Sequence, residues 1–188
     1  QLLFIGCSDS RVPESAVFSS EPGDVFVHRN IANQFHTDDD NALSVLTYGL
    51  QTLKIQDVVV VGHTHCGGAE ASYKAVRGLP VSPLMPLQRW LVPLTTLAGK
   101  VTDPIPLPNT PEYEEQLQLL IEENVKAQVE NITAQNVAAQ VAGVARALEA
   151  LRPLERPVRV HGLVYDIVSR KLRNLHVSVT VDEAGSTA

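Results

Sequence analysis

The chain has 188 residues, enough for one domain with a sizeable core, and its 44% hydrophobic and 19% charged content is that of an ordinary globular protein. A formal charge of -6 with no basic run gives no support to nucleic-acid or anionic-membrane binding. No apolar stretch approaches the roughly 20 residues of a membrane span, and no signal peptide stands at the start.

Residues 2–5, Leu-Leu-Phe-Ile, read as a short central strand, apolar on both faces as in a parallel sheet. Because Gln1 leads straight into this strand, the chain is expected to lack its native amino-terminal segment, and any targeting signal with it. Cytoplasmic placement is the expectation, with an organelle left open. Gly6-Cys7-Ser8-Asp9-Ser10-Arg11 follows, then Pro13-Glu14-Ser15, which suits a helix start. After a turn at 21–24, residues 25–28 form a second strand with Arg29 and Asn30 at its carboxyl end.

Residues 37–41 offer several N-cap candidates, and Ala42, Val45, Leu46, Gly49, Leu50 and Leu53 then keep helical spacing. Four valines at 58–61 give a third strand, which ends in Gly62-His63-Thr64-His65-Cys66-Gly67-Gly68. The last two glycines are expected to let the backbone turn tightly into the next helix. Strand, helix, strand, helix implies a right-handed crossover and parallel pairing.

The proline-rich stretch 79–111 breaks regular structure, apart from a short helix over 87–97 with Trp90 on its buried side. Residues 111–151 are strongly helical, with a bend predicted near 131–136. Ala138, Ala142, Ala145 and Leu148 give the second half a close-packing face. Asn131-Ile132-Thr133 is a formal glycosylation sequon, but its place in a predicted helix argues against use. Residues 158–164 and 172–181 read as two strands joined by a turn near Ser169 and Arg170, and 182–188 as a frayed end.

Both cysteines, Cys7 and Cys66, fall at the carboxyl ends of buried strands, the edge where open α/β sheets bind ligands. Taken singly, a cysteine there is ordinarily a small core residue. Together with His63, three residues before Cys66, they match the thiolate and imidazole donors that zinc prefers in a tetrahedron. The fourth position is left to water or to the Asp9 carboxylate, the arrangement of a catalytic rather than a structural site. His65 competes with His63, but it adjoins Cys66, and neighbouring side chains of an extended chain point to opposite faces.

These two motifs, Cys7-Ser8-Asp9-Ser10-Arg11 and His63-Thr64-His65-Cys66-Gly67-Gly68, closely resemble the β-class carbonic anhydrases. The likeness continues through 22–33, 124–129 and 161–166, leaving 79–110 and 132–156 divergent. It implies an α/β fold with a mostly parallel central sheet flanked by helices. It also implies a single zinc-binding domain over 1–188 that pairs into a homodimer or homotetramer. One Zn2+ per subunit would sit on Cys7, His63 and Cys66. The implied reaction is reversible hydration of carbon dioxide to bicarbonate and a proton, by attack of a zinc-bound hydroxide. Asp9 and Arg11 would form the family's dyad: Arg11 holds Asp9 off the metal in the open form, and Asp9 becomes a ligand in the closed form.

By the same resemblance Phe26, Ile31 and Tyr48 would surround carbon dioxide, partly across a subunit boundary, with the Gly67 backbone N–H near the substrate. A second, regulatory bicarbonate site would use Arg29 and Tyr165. Phe4 stands where members with that site carry tryptophan, so the indole donor is missing. Two rivals keep the centre and change its use: hydrolysis of carbon disulfide or carbonyl sulfide, or a catalytically silent protein in which zinc is structural or bicarbonate is sensed. A thiol redox protein is disfavoured because the cysteines form no Cys-x-x-Cys pair.

Overall fold

The structure is a computed structural model and describes residues 1–76, 85–101, 106–107, 109–133 and 156–181. Its centre is a sheet in which β1 (Leu2–Cys7) lies between β2 (Val25–Asn30) and β3 (Asp57–His63). β3 pairs in turn with β4 (Val158–Asp166), and all three of these pairings are parallel. β1 and the Val58–Val61 run of β3 are apolar because both of their faces are covered. On one face Leu3, Ile5, Val58 and Val60 join the main core. On the other, Phe4, Val59, Val61 and Tyr165 form a smaller cluster closed by Val12 and by Val17 and Phe18 of α1 (Glu14–Phe18).

The chain runs from β1 outward to β2, then crosses back to β3 on the other side of β1. The β1–β3 boundary is therefore the switch point at which open α/β sheets leave a crevice at the carboxyl edge. Registry completes the placement: Gly6 lies beside Val61, so Cys7 and His63 emerge at the same edge.

α2 (Asp40–Thr47) starts on Asp39, whose side chain accepts the Asn41 N–H at 3.0 Å, a cap worth about 1 kcal/mol. A wider π-helical turn, Tyr48–Thr52, carries the helix on toward β3. α3 (Gly67–Val76) follows the sheet edge. The single helix predicted over 87–97 is two, α4 (Pro86–Trp90) and α5 (Val92–Val101), broken at Leu91. Trp90 is half-buried rather than core: it stacks on His36 with ring centroids 4.2 Å apart, and its indole N–H donates to the Ile31 carbonyl at 2.9 Å.

α6 (Pro111–Thr133) buries Tyr113, Leu117, Leu120, Ile121, Val125, Val129 and Ile132 against the sheet and the neighbouring helices, one face of a helix at three- and four-residue spacing. The bend predicted at 131–136, the face carried by Ala138 to Leu148 and the frayed 182–188 lie outside the described residues. No helix among the described residues is long and apolar enough to cross a membrane.

The strand predicted over 172–181 is two. β5 (Lys171–Asn174) pairs antiparallel with the end of β4, and β6 (Val179–Val181) with its beginning. Between them the chain lifts off the sheet: His176 is left-handed (φ 56°), and Asn174 caps it by accepting the His176 N–H at 2.7 Å. Val177 is thereby pushed over Gly162. A Cβ at Gly162 would lie 2.5 Å from Val177 Cγ2 and 3.0 Å from Val125 Cγ1. Both neighbours are stiff β-branched residues, so Gly162→Ala is expected to cost about 1–3 kcal/mol in denaturant unfolding. A variant as stable as the parent would mean that this loop is free to lift.

Candidate metal centre

The parallel registry brings Cys7 and His63 together, and the turn after β3 returns Cys66 to them. Cys7 Sγ, a His63 ring nitrogen and Cys66 Sγ all lie within 4.8 Å of one another, and all three residues are buried. The sulfurs are 4.0 Å apart and form no disulfide. The turn is made by His65, whose φ of 54° is left-handed, and not by the glycines: neither Gly67 nor Gly68 has a positive φ. Gly68 serves close packing instead, since a Cβ there would meet the Ala32 Cβ at 2.8 Å. Gly67 is exposed, with open space where its Cβ would stand.

The left-handed twist settles the two histidines. His65 turns outward, 53% exposed, 3.8 Å from Glu114. His63 is fully buried, and its Nδ1 donates to the Thr64 carbonyl at 2.9 Å. That bond puts the ring proton on Nδ1 and leaves the Nε2 lone pair toward the sulfurs. Nε2 is buried and makes no hydrogen bond. A bare acceptor in the interior is costly, and a cation between Nε2 and the two sulfurs would satisfy it. Two thiols and one imidazole are also the donor types zinc selects, so the residues present fit a zinc ion.

The backbone favours charge on sulfur. N–H groups of Asp9 and Ala32 point to Cys7, and those of Gly68 and Ala69, in the first turn of α3, point to Cys66. Hydrogen bonding from Cys66, against the cost of burial, draws the Cys7 thiol down to about 4. The pairing with Cys7 and deep burial push Cys66 up. Metal ligation needs thiolate, so a divalent ion bound here would draw protons off both sulfurs.

Asp9 stands at the open side of this group. Arg11 grips it through Nε to Oδ1 at 2.9 Å and Nη2 to Oδ2 at 2.6 Å, and the Arg11 backbone N–H adds a third bond at 2.9 Å. The guanidinium holds the Asp9 carboxyl at about 2, well below the usual carboxylate range. The stabilisation is present above the ordinary pKa of about 4 and is lost as pH falls toward 2. Asp9 Oδ2 remains 3.9 Å from His63 Nε2, beside the three candidate ligands and turned away onto Arg11. Arg11 also donates to the His65 carbonyl at 3.1 Å, tying the first motif to the second.

Arg29 is committed to the same loop. It donates to the Cys7 carbonyl at 2.9 Å and the Asp9 carbonyl at 2.6 Å, with Glu14 at 3.5 Å as counter-charge. Tyr165 lies in the small apolar cluster with Phe4 and Val12. Phe26 and Tyr48 pack ring to ring at 5.8 Å, while Tyr48 and Ile31 are exposed, at 51% and 42%.

Three contributors escape a reading of the motifs alone. Thr64 fixes the His63 ring through its carbonyl and takes the Ile167 N–H on its hydroxyl at 3.1 Å. Ala32 directs its N–H at Cys7. Asn124 carries a buried amide on the apolar face of α6, and that anomaly of pattern is the one signal the sequence offered.

Comparison with known proteins adds family context to this geometry. Residues 2–172 match the carbonic anhydrase family. A carbonic anhydrase of Candida albicans is 30% identical over 180 residues, covering 93% of this chain and 56% of that protein. The chain thus spans about half the length of that curated relative. Among solved structures, a β-carbonic anhydrase of Aspergillus fumigatus superposes with a TM-score of 0.71 at 36% identity, covering 94% of this chain and 75% of the other. One of two β-carbonic anhydrases of Sordaria macrospora, described as tetrameric, gives 0.70 at 31% identity, with 94% and 81% covered.

Proposed function

The chain belongs to the β-class carbonic anhydrases, and on that premise we propose that it interconverts carbon dioxide and bicarbonate at one zinc ion per subunit, held by Cys7, His63 and Cys66. The observation that carries this reading is the buried, unpartnered His63 Nε2 set against two sulfurs at the switch point of the sheet. Zinc, when bound, supplies a Lewis acid that brings the pKa of water from 15.7 to about 7.

The chain's own residues do the rest. Asp9, ionised because Arg11 grips it, is a pure acceptor. It takes the hydrogen bond of the attacking hydroxyl and so turns an oxygen lone pair toward the substrate carbon. Arg11 keeps Asp9 from becoming a fourth ligand, and Arg29 holds the backbone that carries both Cys7 and Asp9. Carbon dioxide has no charge or dipole to bind, so its site is apolar; Phe26, Ile31 and Tyr48 are assigned to it. The exposure of Ile31 and Tyr48 fits a wall completed by a second copy, in a homodimer or homotetramer. The Gly67 N–H is assigned beside the substrate, with open space where a Cβ would stand.

Arg29 donates to two backbone carbonyls and lies 3.5 Å from Glu14, and Phe4 lacks an indole donor. A regulatory bicarbonate on Arg29 and Tyr165 would have to compete with Glu14 for the guanidinium. We assign Arg29 first to bracing this loop, with a regulatory bicarbonate on Arg29 and Tyr165 as the second role.

Stopped-flow carbon dioxide hydration on zinc-quantified protein, from about pH 7 to 9, tests the reading. Activity is expected to scale with zinc and to rise with pH. Asp9 stays ionised across that range, so the rise belongs to water. Full zinc with no turnover at the alkaline end would assign the centre to a silent or sensing role instead.

A further inference from the structure

The segment linking β2 to α2 contains two consecutive non-glycine residues in the left-handed region, Ala32 (φ 63°) and Asn33 (φ 47°). L-residues avoid that region, and Ala32 is fully buried, so something must hold the turn. A ladder of amides does. The Ala32 carbonyl accepts from Gln34 Nε2 at 2.9 Å and from Asn124 Nδ2 at 3.0 Å. Asn124 Oδ1 in turn accepts from Gln34 Nε2 at 2.6 Å and Gln128 Nε2 at 3.0 Å. Gln128 Oε1 takes the Phe35 N–H at 2.8 Å. Asn124 and Gln128, four residues apart on α6, thus replace the backbone partners that segment 32–35 lacks.

The turn so held is wedged between the two cysteine-bearing segments. The Ala32 methyl fills the notch left by Gly68, two residues after Cys66, where a Cβ would be 2.8 Å away. On its other side the turn continues β2, whose Asn30 pairs with Cys7 and accepts the Ser8 N–H at 2.8 Å. Ile31, the residue before Ala32, meets the same notch at 3.0 Å and takes the Trp90 indole N–H on its carbonyl.

We propose that Asn124 is a positioning residue of the metal centre: by holding the Ala32 carbonyl it keeps the left-handed turn that spaces Cys7 from Cys66. This rests on the reading of Cys7, His63 and Cys66 as a zinc site. Asn124 touches neither the ligands nor the substrate and acts through the turn, directly on Ala32 and by ordering the Gln34 and Gln128 amides beside it. An apolar residue of equal size would pack against the same helix and sheet, but it would leave the Ala32 carbonyl with Gln34 alone and let the turn relax.

The test is metal binding by the folded, full-length chain. Zinc affinity is measured by competition with a chromophoric chelator, and the cobalt-substituted protein is read by its thiolate-to-metal and d–d absorption bands. Asn124→Leu is expected to weaken zinc about 10–100-fold, the range for loss of a supporting partner, and to shift the cobalt bands. Ala32→Gly, which takes up a left-handed φ without strain but gives up the methyl seated in the Gly68 notch, is expected to restore part of the affinity when added to Asn124→Leu. Destabilisation alone would lower the melting temperature with zinc affinity and cobalt spectrum unchanged, and that result overturns the proposal. So does a loss of affinity that Ala32→Gly leaves untouched. Should Asn124→Leu fail to fold, Asn124→Ser, too short to reach the Ala32 carbonyl, carries the same comparison. A parent protein that binds no zinc would defeat the reading of the centre itself, a different outcome from a parent that binds and a variant that binds equally well.

Discussion

A Cys66→Ser protein is expected to fold, to carry almost no zinc, and to hydrate carbon dioxide at the uncatalysed rate. The substitution changes one atom at a site that is 2% exposed, and the hydroxyl fits where the thiol was. What changes is the donor. A serine hydroxyl does not ionise in the range where a thiol does, even with the Gly68 and Ala69 N–H groups of α3 pointing at it. Zinc would be left with Cys7 and His63, short of the three protein ligands a catalytic site needs. Removing a residue that merely supports a ligand costs about 10–100-fold in affinity, so removing a ligand must cost more. Metal analysis per protomer, followed by stopped-flow hydration, checks this. Unchanged metal content would take Cys66 out of the ligand set. The apo chain should also melt lower than the zinc-loaded parent and no longer respond to added zinc, because a ligand that binds only the folded state stabilises it by mass action.

Much of this centre was legible in the sequence because it depends on strand ends. Valines at 58–61 and the apolar 2–5 run demand a sheet buried on both faces, and such a sheet is parallel. Parallel pairing then places Cys7 and His63 at one edge whatever the details of packing. The errors lie where one residue's backbone, not a pattern, decides. Gly67 and Gly68 suggested the tight turn, yet His65 takes the left-handed conformation, and Gly68 is small because Ala32 presses on it. The strand over 172–181 has an unbroken β-rich pattern, but His176 turns left-handed and Val177 must cross Gly162, so two strands form. Arg29 could not be read at all from spacing. Its partners are the carbonyls of Cys7 and Asp9, and backbone acceptors leave no mark in a sequence.

Asp9→Asn separates the chemistry from the scaffold more sharply than any ligand change. The amide is the same size as the carboxylate, and its oxygen can still accept from Arg11. An ion pair with a partner as exposed as Arg11, 52%, is worth about 0–1 kcal/mol, so the fold should lose no more than that. The three candidate ligands are untouched, and zinc content should stay at one per protomer. Activity should nevertheless fall about 100-fold or more, the scale of losing a positioned proton acceptor. That corresponds to roughly 2.7 kcal/mol in the barrier, well beyond any loss of stability. The reason is polarity. A neutral amide holds Arg11 less firmly than a carboxylate does, and its NH2 group presents a donor where the attacking hydroxyl needs an acceptor. The pH midpoint of the residual activity should sit near that of the parent, since the Asp9 carboxyl, at about 2, is not the group that titrates. A variant with full zinc and full hydration would confine Asp9 to holding Arg11 against the His65 carbonyl, and orientation of the nucleophile would have to come from another group at the edge.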